Sequence, residues 1–329
     1  MISAKSLGAM PQFVLEHVGQ RALDLAFERT GLPHRFTEQR DGYITEHMLA
    51  EFVEAIERAT GEQDIGLLWA PRLTVADYGA WGAYVLSAPD LGKALKRANE
   101  VMPFHASADR TDLVIEGGFS SFSYRFALSG HNAYPSIAFS ALGAILSIFR
   151  HHLGERWKPA RVNCDFRRPI NADDVEATFG CPVMWQSKRL EIVFPREALM
   201  QKKSPQGAKA VTVDDISRER SAGAPTSFQD VVAQTLRLQL EDHTISMERT
   251  ARSLDIGVRT LQRRLLAENL SFRALTNRVV MGGAIELLKS GDLSVGSIAT
   301  ELGYNSPNNF SRAFKDWFGI PPTEFRMDA

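Results

Sequence analysis

The sequence predicts an α+β N-terminal domain followed by an all-α C-terminal domain with two helix-turn-helix units. Three observations lead to this fold class. A short pattern occurs twice after residue 246, each time with the spacing of a helix, a tight turn and a second helix. Two segments on either side of a glycine pair at 117–118 have the alternation of β-strands. Apolar residues at helical spacing run through much of the remaining chain.

The N-terminal elements follow from apolar spacing and from the glycines and prolines that end them. Helices are expected over Phe13–Thr30, Thr45–Thr60, Asp90 to about Met102, and Pro135–His152. Strands are expected over Leu113–Ile115, Phe122–Phe126 and Arg161–Phe166, and the segments 179–183 and 190–194 complete the region. The helix that begins at Pro135 is hydrophobic nearly all round, so we expect it to be buried.

The expected domains are residues 1–203 and residues 227–329, joined by a linker over 204–226. The linker region includes the polar segments Lys202–Gly207 and Ser221–Pro225. Polar composition with Gly and Pro at both ends is poor material for a hydrophobic core.

The C-terminal domain is organised around the repeated pattern. The first copy is Ala251–Ile256 followed by Leu261–Leu265, and the second is Ala299–Tyr304 followed by Phe310–Phe314. In each copy a small Ala lets two helices approach, and a Leu three residues later closes a small core. The second helix of such a unit can enter a DNA major groove.

A long helix over Phe272–Lys289 is expected to space the two units. Ser246 and Ser294 are candidate N-caps of the helices that open each unit, and Pro321–Pro322 is expected to end the last helix of the second unit. Two glycines inside the spacer, Gly282–Gly283, should each cost roughly 1 kcal/mol relative to Ala.

Side chains that contact DNA are expected on the outward face of the second helix of each unit. On a helical wheel the apolar residues at i and i+4 point inward, so the polar residues between them point outward. The predicted DNA-contacting residues are Arg259, Thr260, Gln262, Arg263, Asn308, Asn309 and Arg312. Arg can bridge O6 and N7 of guanine, and Gln or Asn can pair with N6 and N7 of adenine.

Charge is concentrated on the first unit. The 329-residue chain has a formal net charge of −1, so the chain-wide basic excess that often accompanies nucleic-acid binding is absent. Between Arg252 and Arg264, however, four arginines stand against one aspartate, whereas residues 225–329 are neutral as a whole. This distribution predicts modest non-specific DNA affinity and a moderate dependence on salt.

The composition indicates a globular cytoplasmic protein. Hydrophobic residues make up 44% and charged residues 23%, which is the usual globular range. The two cysteines, Cys164 and Cys181, are too few for a disulfide framework and suit a reducing compartment. The segment Met1–Gly8 is too short and polar for a signal peptide, and the apolar run Ile137–Phe149 is too short for a bilayer span. We therefore expect no membrane partner.

A ligand site in the first domain is the least constrained prediction. Tyr78, Trp81 and Tyr84 are the candidate effector-binding residues, although aromatic residues at such spacing are more often core. The adjacent pair His151–His152 with Glu155 is not expected to bind metal, because adjacent side chains leave a helix on different sides.

Other conspicuous side chains are given structural roles. The two cysteines are interpreted as small core residues rather than redox sensors, and Trp317 and Phe318 are interpreted as core. No catalytic residue, metal or cofactor is predicted.

The repeats resemble the DNA-binding domain of the AraC family of bacterial transcription regulators. The resemblance covers about Phe228 to Arg326, and the segments that carry it are Arg259–Leu265, Ile298–Tyr304, Phe310–Lys315, Trp317–Pro322 and Phe325–Arg326. It implies a sequence-specific transcription regulator that binds double-stranded promoter DNA.

The first domain resembles, more weakly, the arabinose-binding-type effector and dimerisation domain found in one branch of that family. The segments that carry this resemblance within Met10–Met200 are Ile65–Leu68, Tyr78–Trp81, Pro89–Leu95 and Phe179–Val183. It implies a small-molecule effector and a homodimer, and it leaves a contact with RNA polymerase open. Effectors in this branch are varied and include amino acids and fatty acids.

The chain departs from the family pattern at four positions. Asp255 stands where Gly is frequent, Gly257 where Ser is frequent, and Val280 where Arg is frequent. Leu266 stands on an outward face where Lys is frequent, so one phosphate contact is expected to be missing.

Two other classes of function are weighed against a regulator. One is a DNA-repair methyltransferase that carries an AraC-like module, which needs a reactive Cys in a Pro-Cys-His-Arg setting and often a four-Cys zinc site. Here Cys181 precedes Pro182, and two cysteines cannot form that zinc site. The other class is a co-regulator whose tandem units bind protein rather than DNA.

Overall fold

The structure is a computed structural model that describes residues 1–201, 211–220 and 223–328. It divides into two compact units, one of Met1–Thr30 with His34–Ala224 and one of Pro225–Ala329 with Gly31–Pro33. The predicted boundaries at 203 and 226 stay predictions, and much of the predicted linker belongs to the first unit.

Helices surround the core of the first unit. They are α1 Met10–His17, α2 Gln20–Thr30, α3 Glu46–Thr60, α4 Gly66–Trp69, α5 Ala80–Leu86, α6 Leu91–Glu100, α7 Tyr134–Leu153, α8 Ala172–Phe179 and α9 Val213–Glu219. The single helix expected over Phe13–Thr30 is therefore wrong. The chain breaks between α1 and α2 at Gly19, whose φ of +109° disfavours any side chain.

The helix termini follow the local sequence. Thr45 caps α3 by accepting a hydrogen bond from the Met48 amide, and Asp90 caps α6 by accepting one from Lys93. Gly61 ends α3 in the left-handed conformation. The sequence did not predict α8.

A five-stranded sheet packs beside these helices. Its strands are β3 Arg110–Glu116, β4 Phe119–Arg125, β5 Arg161–Asn163, β6 Val183–Met184 and β7 Leu190–Pro195, and two short strands, β1 Ile2–Ser3 and β2 Tyr43–Ile44, pair separately. The order is β3-β4-β7-β5-β6, antiparallel except for the β5–β6 pair. The hairpin of β3 and β4 is confirmed and places Leu113 opposite Phe122, whereas β5 is shorter than the expected Arg161–Phe166.

Helix α7 lies in the core of the first unit. As expected it is buried nearly all round, with residues such as Phe139, Leu142 and Phe149 inaccessible to solvent. It is long and apolar enough to cross a membrane, but 72% of its most apolar window is buried inside the unit. A neighbouring turn approaches so closely that a Cβ on Gly143 would lie 2.2 Å from the carbonyl oxygen of Ala70.

Part of the predicted linker is a packed helix. The helix α9 begins with a capping box in which Thr212 and Asp215 exchange hydrogen bonds. Ile216 is fully buried and Arg220, just after the helix, is 5% exposed. Residues 202–210 and 221–222 of this region lie outside the described part of the chain.

The second unit is all helical. Its helices are α10 Phe228–Glu241, α11 Met247–Ser253, α12 Val258–Ala267, α13 Phe272–Ser290, α14 Val295–Glu301, α15 Pro307–Phe318 and α16 Pro322–Asp328. The long helix α13 contributes to two cores, with Leu275 and Val279 in the first and Ala284 and Leu288 in the second. This sharing explains how one helix can hold two helix-turn-helix units.

The C-terminus holds one helix that the sequence did not predict and one wrong expectation. Helix α15 ends at Phe318 with Gly319 as its C-cap, shortly before Pro321, but Pro322 also begins the further helix α16. Trp317 is 47% exposed rather than core. Phe318 packs against the second core and is partly buried.

Candidate nucleic-acid interface and ligand cavity

The first helix-turn-helix unit is formed by α11 and α12. Ser246 caps α11 by accepting a hydrogen bond from the Arg249 amide. The turn contains Asp255 in a left-handed conformation, with φ of +51°. On α12, Leu261 and Leu265 are 0% and 1% exposed, as the helical wheel predicts. These two leucines fix which face of α12 is presented to solvent.

The opposite face of α12 presents polar side chains. Arg259, Gln262 and Arg263 are exposed, and Thr260 is partly buried. Arg264 is also exposed, but its guanidinium lies over the Phe228 ring, 5.2 Å from the ring centroid. Of the predicted contact residues, the two arginines and the glutamine are thus placed where a duplex could reach them.

The second unit, formed by α14 and α15, repeats this arrangement. Its turn places Gly303 at φ of +77°, the position that corresponds to Asp255. Ser306 caps α15, and Phe310 and Phe314 are both fully buried. The predicted contact residues of this unit, Asn308, Asn309 and Arg312, are all exposed.

The outward arginines are not engaged by the protein itself. Within the described residues, Arg259, Arg263 and Arg312 make no hydrogen bond or ion pair with another side chain or with the backbone. Guanidinium groups without internal partners are available to phosphates or base edges. The seven contact residues remain predictions, because a DNA duplex is needed to test them.

Three of the four departures from the family pattern, at Gly257, Leu266 and Val280, have visible consequences. Gly257 caps α12 without a side-chain hydrogen bond. Leu266 is 72% exposed, whereas Val280 is 9% exposed and belongs to the second core. A valine at 280 therefore supports packing where an arginine would have to reach solvent.

An apolar cavity lies inside the first unit. It has a volume of about 60 Å³ and is lined by residues of α1, α3, α5, α6, α7 and the sheet, together with the short loops between them. Two of the three candidate effector-binding residues, Tyr78 and Trp81, line it, and their role in effector binding stays a prediction. Tyr84 does not, and its ring instead packs against the Arg97 guanidinium at 4.6 Å.

Polar groups at the cavity were missed by the sequence reasoning. His105 stacks on Tyr78 with ring centroids 5.3 Å apart and lies equally close to Trp81. Tyr124 lines the cavity, and its hydroxyl donates to Asp109 at 2.8 Å. Burial, with repulsion from Glu46, raises the pKa of Asp109 to about 6. Neither His105 nor Asp109 lies in a sequence motif that could have predicted a position at this cavity.

Arg220 joins the cavity wall to the end of the first unit. Its guanidinium donates to the carbonyl oxygens of Tyr78 at 2.7 Å and Phe104 at 3.0 Å. Beside it, Glu219 accepts a hydrogen bond from the Ala80 amide. The helix α9 is thus tied to the segment that carries the aromatic wall of the cavity.

The adjacent histidines and the two cysteines pack within the protein. His152 places its ring nitrogens 3.0 Å from the Ile148 carbonyl and 3.1 Å from that of Ala88, and His151 approaches the Leu86 carbonyl. Both Cys164 and Cys181 are buried. Burial raises the pKa of both thiols, that of Cys181 to about 11, which disfavours the reactive thiolate.

Within the part of the chain that the structure describes, one cluster could hold a metal by geometry alone. Ligand atoms of Glu51, Glu54 and His131 lie within 4.8 Å of one another. Arg29 pairs with Glu51 and Arg58 with Glu54. The His131 Nδ1 accepts the Ala133 amide, which places the ring proton on the other nitrogen. These partners make the cluster a network of ion pairs rather than a vacant ligand set.

Comparison with protein families matches both units. Residues 21–202 match the arabinose-binding domain of AraC transcription regulators, N-terminal, which is more than half of the chain. Residues 250–328 match a helix-turn-helix domain. The second match contains both repeated motifs.

Similar proteins are transcription regulators. The chain is 25% identical to the ornithine utilization regulator of Pseudomonas aeruginosa over 268 residues, which is 81% of this chain and 79% of that protein. It is 38% identical to the HTH-type transcriptional regulator VirS of Mycobacterium tuberculosis over 101 residues, 31% of this chain and 29% of VirS. A third relative, an uncharacterized HTH-type regulator of the same species, is 44% identical over 75 residues but is covered over only 22% of its length.

Among solved structures, the transcriptional regulator CdpR of Pseudomonas aeruginosa aligns over 93% of this chain and 97% of its own, with a TM-score of 0.42 and 21% identity. The family match over residues 21–202, joined to the tandem helix-turn-helix unit, carries the assignment. The chain belongs to the AraC family of transcription regulators.

Proposed function

We propose that α12 and α15 of one molecule enter successive major grooves on one face of a promoter duplex. The observation that carries this proposal is the pair of matched helices, each with two apolar side chains buried on one face and exposed polar side chains on the other. Arg259, Gln262 and Arg263 would contact bases or phosphates in one groove. Asn308 and Arg312 would do so in the next, about one helical turn away.

A gel-shift titration on a promoter fragment, with excess random DNA, tests this proposal. We expect Arg263→Ala and Arg312→Ala each to weaken specific binding by about 10- to 100-fold, because a bidentate contact contributes roughly 1–3 kcal/mol. Arg264→Ala is the matched control, since it removes the same charge from the same helix but a side chain that lies over Phe228. Equal, small losses in all three variants would show that only net charge matters.

The same titration separates DNA binding from protein binding. A co-regulator that binds another protein through its tandem units would give no shift that survives random DNA. Specific binding that depends on both arginines therefore excludes that class of function.

The first unit is proposed to bind a small-molecule effector and to dimerise. Two DNA-binding units held together would gain affinity by effective concentration, which a neutral domain with few base contacts needs. Arg220 supports a route for the response, because it ties the cavity wall to the chain segment that leads into Pro225. A contact with RNA polymerase fits the same role and is part of the proposal.

We also propose that the chain is not an enzyme. The methyltransferase alternative needs a nucleophilic thiolate, and both thiols are buried with raised pKa values. Incubation with alkylated DNA followed by mass spectrometry should show no methyl group on Cys164 or Cys181. Methyl transfer to either residue would reverse this assignment.

A further inference from the structure

We propose that the cavity of the first unit binds a neutral, mainly apolar molecule that carries one uncharged hydrogen-bonding group for His105. This inference rests on the proposed effector role of the unit and names the chemical class of the effector. It follows from three properties of the cavity: the charge of its lining, one unsatisfied polar atom, and its size.

The lining presents no charge. Among the described residues, its ionisable members are Tyr78, His105 and Tyr124. Burial lowers the pKa of His105 to about 3 and raises those of both tyrosines, so all three are neutral at physiological pH. A charged ligand would lose its hydration here without gaining a counter-ion, which is strongly unfavourable.

The nearest charged groups do not change this conclusion. Asp109 would repel an anion, and its two carboxylate oxygens already accept hydrogen bonds from the Tyr124 hydroxyl and the Ala127 amide. Arg220 is not in the lining, and its two terminal nitrogens already donate to backbone carbonyls. Neither residue lines the cavity, so neither pairs directly with a charged group of a ligand there.

One buried polar atom of a lining residue lacks a partner. His105 is 6% exposed, and its Nδ1 makes no hydrogen bond with any described residue. An unsatisfied buried polar atom destabilises a protein. A ligand group that forms a hydrogen bond with it removes that cost, which favours binding. A neutral imidazole can accept from a hydroxyl through this nitrogen or, in the other tautomer, donate to a carbonyl oxygen.

The size of the cavity indicates a small ligand, and its wall must move if an aromatic ring is to enter. A cavity of roughly 150 Å³ accommodates benzene, whereas this one measures about 60 Å³. Met10 and Met102 belong to the lining, and unbranched thioether side chains repack easily. A single-ring molecule is therefore the largest probe that we expect to enter without unfolding the wall.

Three near-isosteric probes test the ligand class on the full-length protein: benzyl alcohol, toluene and benzoate. Calorimetry at pH 7.5 should show both neutral probes binding, and benzoate binding at least tenfold more weakly than benzyl alcohol. In His105→Phe, which keeps an aromatic ring beside Tyr78, benzyl alcohol should lose at least fivefold in affinity while toluene changes by less than twofold.

Two further variants distinguish the loss of the His105 hydrogen bond from a general effect of misfolding. His105→Asn keeps a polar group close to the ring nitrogen and should keep most of the alcohol affinity. His47→Phe makes a matched change at a half-buried histidine outside the cavity and should alter neither probe.

The outcomes distinguish the ligand class from the effector role. Benzoate binding as tightly as benzyl alcohol, or an alcohol affinity unchanged in His105→Phe, would overturn the neutral class but leave an effector site in place. Binding by none of the probes would overturn both the class and the assignment of this cavity to an effector, whereas the gel shift would still test DNA binding.

Discussion

At the scale of single residues, the two helix-turn-helix units differ most in their turns. Both turns place one residue in the left-handed region, and the chain has Asp255 in one and Gly303 in the other. Aspartate tolerates this conformation better than most residues but not as well as glycine. The first turn is therefore more strained than the second.

Exchanging the turn residues should show this difference. We expect Gly303→Ala to lower the free energy of unfolding by about 1–2 kcal/mol, because a Cβ is disfavoured at positive φ. Asp255→Gly should raise it by less than about 1 kcal/mol, since the relief of strain is partly offset by entropy of the unfolded chain. Urea unfolding followed by circular dichroism measures both, and a stabilising Gly303→Ala would contradict the turn geometry.

The buried Asp109 should make the stability of the first unit depend on pH. Its pKa is 3.8 in an unperturbed chain and about 6 in the folded unit, so the folded state holds a proton that the unfolded state releases. This contribution to stability is fully present below about pH 4 and is lost as the pH rises to about 6.

Asp109→Asn should remove that dependence. The variant should gain stability relative to the wild type as the pH rises from 4 to 7, by at most about 3 kcal/mol for two pKa units. Asp112→Asn, at an exposed position on the same strand region, is the control and should show no such trend. A difference that is flat with pH would mean that Asp109 titrates normally.

At the scale of elements, α13 and α9 carry the unexpected features. Helix α13 is continuous through Gly282 and Gly283 although two glycines weaken a helix. A Cβ on Gly282 would meet no atom within 4 Å, so no close contact requires glycine there.

Gly282→Ala should therefore stabilise the second unit by about 1 kcal/mol. Thermal unfolding measures the gain, and gel shifts show whether the spacing of the DNA-binding helices is kept. A stabilised variant that binds DNA less tightly would indicate that the glycines allow a bend on DNA, whereas a destabilised variant would contradict the open space beside Gly282.

Helix α9 depends on Arg220 for its attachment. Arg220→Met should remove the guanidinium donor from the carbonyl of Tyr78 and leave that of Phe104 with the Tyr43 hydroxyl alone. The amides of α9 should then exchange hydrogen at least tenfold faster. Arg218→Met, on the same helix but exposed and paired with Asp215, is the control. Equal protection of α9 in both variants would show that Arg220 does not hold the helix in place.

Features formed by residues close together in the sequence were predicted, whereas features formed by residues far apart in the sequence were not. The helix-turn-helix units, the β3–β4 hairpin and α7 were predictable because their patterns lie within about twenty neighbouring residues. The tie between Tyr78 and Arg220 joins residues 142 positions apart, and no local pattern encodes it. The cavity likewise brings together Ile2 and Ile148, so only its aromatic members could be guessed.

Two misses had a readable signal. Thr212 and Asp215 have the spacing of a capping box, which could have revealed α9 inside the predicted linker. Pro322 was interpreted as a helix end, although proline is also favoured in the first turn of a helix, where α16 begins. Trp317 is different, since its exposure depends on packing that the sequence does not show.

At the scale of the whole molecule, we propose that one unit of this regulator reads DNA and that the other senses a small neutral molecule. The DNA-binding unit has limited basic charge, concentrated around α12, so affinity should depend on specific contacts more than on bulk electrostatics. Its two recognition helices should therefore read separable parts of one site.

Guanine methylation interference on a bound promoter fragment tests this claim most directly. The wild type should show two clusters of sensitive bases, about one helical turn apart on one face of the duplex for each molecule bound. Arg263→Ala should remove interference in one cluster only, and Arg312→Ala in the other. A single cluster, or both variants losing the same bases, would contradict the account.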